Sequence, residues 1–181
     1  MFNLNLPNTI TLVRICMIPV FMFFLLLPIP GGNFMAFLLF VAASATDGLD
    51  GHYARSRNLI TTLGKFLDPL ADKFLISAAL ISLVALGEVG AVPAILIISR
   101  ELMVTGLRSI ARDAGIVIAA SPLGKVKTVS QILAISVVLF EISFAVPSGW
   151  ILGTILIWIS VFFTLWSGYD YLKQCRGLLK G

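Results

Sequence analysis

Between Arg14 and Asp47 the chain carries no charged side chain for 32 residues, broken only by the turn-forming run Pro28-Ile29-Pro30-Gly31-Gly32. A helix needs about 20 consecutive apolar residues to cross the hydrocarbon core of a bilayer, so this stretch has room for two such helices back to back. Similar apolar segments recur to the end of the chain. In all, 59% of the 181 residues are hydrophobic and 12% charged, with mean hydropathy +1.02. Soluble domains average roughly 25% charged residues, and a soluble fold of this length has too little interior to hide so much apolar surface. Disorder is excluded on the same grounds. The expectation is one integral-membrane domain over residues 1–181.

Charges and breakers divide the chain into six apolar segments, at about 7–28, 33–55, 64–87, 91–112, 124–146 and 150–172. The fold class expected is therefore all-α, a polytopic membrane protein with six transmembrane helices. Arg55, Arg57, Lys65 and Lys73 surround the second connection, Arg108, Arg112, Lys125 and Lys127 flank the fourth, and Lys173, Arg176 and Lys180 lie in the tail. The first, third and fifth connections contain no Lys or Arg. Positive charge favours the cytoplasmic side, so the even connections and both termini are expected there. The net charge of +4 sits beside apolar segments and suits a membrane surface rather than nucleic acid. Cys16 and Cys175 lie near opposite ends and form neither a disulfide framework nor a metal motif. No small-x-small cleavage site follows the first segment, which is expected to be retained.

Four of the nine acidic residues, Asp47, Asp50, Asp68 and Asp72, fall around the second connection. Asp47 and Asp50 are expected in the last two turns of the second span, and Asp68 and Asp72 in the first turns of the third. Spacings of three and four put each pair on one helix face, and a short connection makes the two helices antiparallel neighbours. Four converging carboxylates repel unless a cation joins them. All-oxygen ligands suit Mg²⁺ or Mn²⁺, and four carboxylates are enough to bridge two ions. Carboxylates at membrane depth are functional by default. Gly48 and Gly51 leave the helix surface bare for a ligand, and Arg55 can pair with a phosphate in bidentate fashion.

The segment Asp47-Gly48-Leu49-Asp50-Gly51-His52-Tyr53-Ala54-Arg55, eight further residues, and Gly64-Lys65-Phe66-Leu67-Asp68-Pro69-Leu70-Ala71-Asp72 resembles the signature of the CDP-alcohol phosphotransferases. All eight fixed positions and the gap match. With residue usage near ~6% each, chance alone gives such a match on the order of 10⁻¹⁰ per starting position. Further stretches are similar to the bacterial branch whose acceptor is sn-glycerol 3-phosphate: Leu6 to Arg14, Ser99-Arg100-Glu101, Gly106-Leu107-Arg108, and Gly124 to Thr128 followed by Gln131.

The resemblance implies a six-span homodimer in the bacterial cell membrane, with its site open to cytoplasm and lipid. It implies two divalent ions on Asp47, Asp50, Asp68 and Asp72, with Asp72 also the general base. Gly51, Arg55 and Thr61 would hold the CDP-diacylglycerol, with Asn8 and Thr11 as further nucleotide contacts. The phosphate of sn-glycerol 3-phosphate would call on Arg100, Arg108, Lys125 and Lys127. Arg100 and Glu101 are adjacent, project in different directions and need not pair. Two alternatives stand beside this reading: the same donor with another acceptor (serine, phosphatidylglycerol or inositol phosphate), and a divalent-cation transporter. Carboxylates at one interface, with Arg55 beside them, argue against transport.

His52 sits at a variable position of the motif and is expected at the interface rather than as a ligand. Gly124-Lys125 lacks the first glycine and the Ser/Thr of a phosphate-binding loop. Gly149 and Gly153 are spaced to pack helices or a dimer, and Pro19 is expected to kink the first span.

Overall fold

A computed structural model of the chain describes residues 6–56, 62–113, 122–144 and 152–174. For residues 6–8, 10, 47–56, 62–69 and 112–113 only the backbone is described. Six α-helices follow in order: α1 (Leu6–Leu26), α2 (Gly32–Ser56), α3 (Thr62–Ala85), α4 (Ala91–Asp113), α5 (Pro122–Ser143) and α6 (Leu152–Gln174). Among the described residues there is no strand. The helices contain 21 to 25 residues, about 31–38 Å of rise, against a hydrocarbon thickness of about 30 Å.

Local chemistry explains the helix ends. Pro7, Pro93 and Pro122 lie in first turns, where the missing N–H forfeits no intrahelical bond. Two of the expected breaks contain glycines with positive φ, Gly31 at 73° and Gly87 at 79°. After α3 the Gly87 amide donates to the Val84 carbonyl and the Glu88 amide to the Leu83 carbonyl. This pair of bonds closes the helix through a left-handed residue, which glycine supplies without a Cβ clash. Pro19 lies inside α1, which stays helical through it.

The helices close into a ring in the order α1, α2, α5, α6, α4, α3, and α3 also meets α2 and α5 across it. Phe21, Leu25, Phe40, Leu75, Leu80, Leu83, Ile135 and Leu139 fill the interior, with Ala36, Ala43 and Ala79 letting backbones approach.

The surface is the reverse of a water-soluble protein's. Phe23, Ile81, Leu102, Val129, Trp158 and Phe162 are each at least half exposed, whereas Thr11, Arg14, Glu101, Lys127, Gln131, Ser160, Thr164 and Ser167 are buried. Such a distribution suits lipid as the surrounding solvent, since lipid tails are as apolar as the side chains facing them. α5 and α6 are long and apolar enough to cross a membrane, and α1 and α2 contribute shorter apolar stretches, Thr11–Leu26 and Gly32–Thr46. Gly153 is buried in the α5–α6 crossing. Its amide donates to Glu141 Oε1 at 3.1 Å, and a Cβ there would meet Val138 Cγ2 at 2.8 Å. Gly153 therefore serves packing within one chain; Gly149 lies outside the described residues.

Candidate active site

The signature occupies the end of α2 and the start of α3. Both helices extend beyond the expected ends of the aspartate pairs, α2 to Ser56 and α3 from Thr62. Asp50 lies six residues before the end of α2, and Asp68 six residues after the start of α3. Asp47 and Asp72 lie nine and ten residues in. The aspartates are thus about two to three turns inside the helix ends, in matched positions on helices that meet each other. On a continuous helix the spacings of three and four keep each pair on one face. Four carboxylates would offer hard oxygen donors of the kind Mg²⁺ and Mn²⁺ prefer.

Asp72 is half-buried and engaged in interactions. The side chains of Asp47, Asp50, Arg55 and Asp68, and the surroundings of Gly51, lie outside the described set, as does that of Asn8; Thr61 lies outside the described residues altogether. Thr11 is buried in α1 and engaged. No group of three His, Cys, Asp or Glu side chains forms a metal cage among the described residues.

The four basic residues expected to bind a phosphate separate into two kinds. Lys127 is buried in α5, and its Nζ donates to Glu101 Oε1 of α4 at 2.6 Å. Arg100 Nη1 donates to the same oxygen at 3.1 Å, and Nη2 donates to Ser167 Oγ of α6 at 2.6 Å. Adjacent residues thus do pair, correcting the expectation for Arg100 and Glu101: long side chains reach around the helix when no water competes for their charges. Arg100 fits because residue 168 is glycine, where a Cβ would stand 3.2 Å from Arg100 Cγ. Arg108 and Lys125, by contrast, are exposed. Arg108 stacks its guanidinium 5.3 Å from the centre of the Tyr171 ring, and Lys125 edges an apolar groove of about 450 Å³ between α5 and α6.

The two charged regions lie on adjoining helices, since α3, which carries Asp72 and Lys73, meets both α4 and α5. One turn along from Lys127, Gln131 donates to Thr164 Oγ1 of α6 at 2.8 Å. Sequence reasoning named Glu101 beside Arg100 but gave it no role, and it did not pick out this polar stripe on α6. Two signals carry them: an acid within an apolar span is functional by default, and Ser160, Thr164, Ser167 and Tyr171 follow the 4-3-4 spacing of one helix face.

Residues 4–166 match the CDP-alcohol phosphatidyltransferase family. The chain belongs to this family. Its signature aspartates are the matched pairs on α2 and α3, and two of its basic residues, Arg100 and Lys127, close on the buried Glu101. Among its relatives is a Bacillus subtilis protein, 46% identical over 97% of both chains, named CDP-diacylglycerol–glycerol-3-phosphate 3-phosphatidyltransferase. Relatives with the same name from Rickettsia bellii (39% identical, covering 95% of this chain and 96% of that one) and Haemophilus influenzae (37%, 97% and 95%) are also similar along nearly their whole length.

Proposed function

We propose that this family member transfers the phosphatidyl group of CDP-diacylglycerol to sn-glycerol 3-phosphate, giving phosphatidylglycerophosphate and CMP. The observation that carries the reading is a complete eight-position signature on two helices that meet, in a chain similar end to end to relatives bearing that name. The whole chain acts as one domain with six membrane spans, as a homodimer in the bacterial cell membrane, with the site and both termini cytoplasmic. The basic connections support that orientation.

Asp47, Asp50, Asp68 and Asp72 would hold two divalent ions, Mg²⁺ or Mn²⁺. Bound there, the ions supply electrostatic stabilisation for charge developing on the diphosphate. Gly51 and Arg55, with Thr61, Asn8 and Thr11, hold the donor's diphosphate and cytidine, while the acyl chains stay in lipid. Arg108, Lys125, Lys127 and Arg100 draw in the acceptor's phosphate. The Asp72 carboxylate takes the proton of the acceptor's C1 hydroxyl. That oxygen bonds to the phosphorus bearing diacylglycerol, and the bond from this phosphorus to the CMP oxygen breaks.

The test is CMP release by purified protein in detergent, with CDP-diacylglycerol, Mg²⁺ and one acceptor at a time. Release with sn-glycerol 3-phosphate, lost in Asp72→Asn, is the expected result. Release only with another acceptor overturns the acceptor assignment. No release with any acceptor, from folded protein, overturns the reading.

A further inference from the structure

The junction of α4, α5 and α6 holds more donors and more positive charge than it satisfies. Glu101 Oε1 receives both Lys127 Nζ and Arg100 Nη1, so two cations share one anion and the triad carries a net charge of +1. An ammonium has three N–H donors, and Glu101 takes one of those on Lys127. Arg100 Nε is buried without a hydrogen-bond partner, and so is the hydroxyl of Tyr171, one turn beyond Ser167 on α6. Buried donors are almost always satisfied, and uncompensated buried charge is costly. A group supplying several acceptor oxygens and negative charge completes such a junction, and a phosphate is that group. The junction lies beside the signature, since α3, which carries Asp68 and Asp72, meets both α4 and α5.

We propose that Glu101 is a positioning residue for the acceptor's phosphate: it fixes Lys127 and Arg100 in the geometry that recognises a phosphorylated acceptor over a neutral one. The inference rests on the acceptor reading above. Glu101 is itself negative and would repel a phosphate, so its contribution is placement rather than attraction. The sign of its removal therefore separates the two roles. Neutralising it raises the junction to +2, and attraction alone then tightens phosphate binding. Loss of placement instead frees both cations from their shared anchor and weakens binding.

The experiment measures KM for sn-glycerol 3-phosphate, KM for CDP-diacylglycerol and use of glycerol as a neutral acceptor, in wild type, Glu101→Gln and Lys127→Met, with the melting temperature of each in detergent. Glu101→Gln is expected to raise KM for sn-glycerol 3-phosphate at least about tenfold, the size of a lost charge-assisted hydrogen bond. KM for the donor and the use of glycerol should stay within about twofold of wild type. A KM for sn-glycerol 3-phosphate that is unchanged or lowered overturns the proposal, and if Lys127→Met still raises it, the acceptor reading survives alone. A wild type that uses glycerol as well as its phosphate overturns both. Should Glu101→Gln not fold, Glu101→Asp keeps the carboxylate but withdraws it from Lys127 Nζ and Arg100 Nη1, and a rise in KM of about threefold to tenfold is expected; no rise there overturns the proposal equally.

Discussion

The two charged regions of this bundle have opposite requirements. Along the signature, four aspartates lie at matched positions near the end of α2 and the start of α3. Like charges brought together need a cation from outside. At the α4–α6 junction, two cations close on Glu101 from α4 and α5 while Ser167 of α6 holds the guanidinium. That junction pairs its cations from within yet keeps one positive charge in excess and leaves Arg100 Nε and the Tyr171 hydroxyl without partners. The first region is rich in acids and the second carries an excess of positive charge, and they lie on adjoining helices, since α3 meets both α4 and α5. Under the function proposed above, the difference would allot the work: the aspartates would hold the ions beside the diphosphate donor, and the junction would recognise the incoming anion.

The largest expected effect breaks the comparison at its anionic end. Asp72→Asn should lower kcat by about 10²- to 10⁴-fold, the usual span for a general base, read as CMP release; a smaller loss would move the base elsewhere. Next comes the α5–α6 crossing, remote from both regions. Gly153→Ala drives a Cβ to 2.8 Å from Val138 Cγ2 and against the Glu141 carboxylate, an overpacking worth about 1–3 kcal/mol. A drop in the detergent melting temperature, with KM values unchanged below it, is the expected result. Gly87→Ala forces a side chain into φ 79° at about 1 kcal/mol, again lowering the melting temperature without touching either substrate.

The smallest change sharpens the comparison at the cationic end. Tyr171→Phe removes a buried hydroxyl without a partner and leaves the ring under Arg108 in place. The ligand-free protein should gain about 1 kcal/mol or less, as unpaired polar burial is relieved. Binding of sn-glycerol 3-phosphate, measured by calorimetry, should weaken. A variant less stable than wild type would show that the hydroxyl is satisfied.

Much of this protein was legible without coordinates. The six helices follow from apolar length between Pro, Gly and charged breakers, because a bilayer forces backbone polar groups into helices and prolines and glycines mark their ends. The helical setting of each aspartate pair was legible too, since i, i+3 and i, i+4 spacing fixes a helix face from local geometry alone. Arg100, Glu101 and Lys127 were not legible in this way. The two cations stand 27 residues apart on different helices, and neighbours on one helix give no reason to pair. Only the closing of α4, α5 and α6 around a water-poor interior decides their partners. There an unpaired charge is costly enough to pull adjacent side chains together and to recruit Ser167 from a third helix. Sequence determined where charge enters the bundle, through local periodicity and the thickness of the membrane. Tertiary structure decided which charges neutralise one another, because that depends on which helices meet and on how little water lies between them.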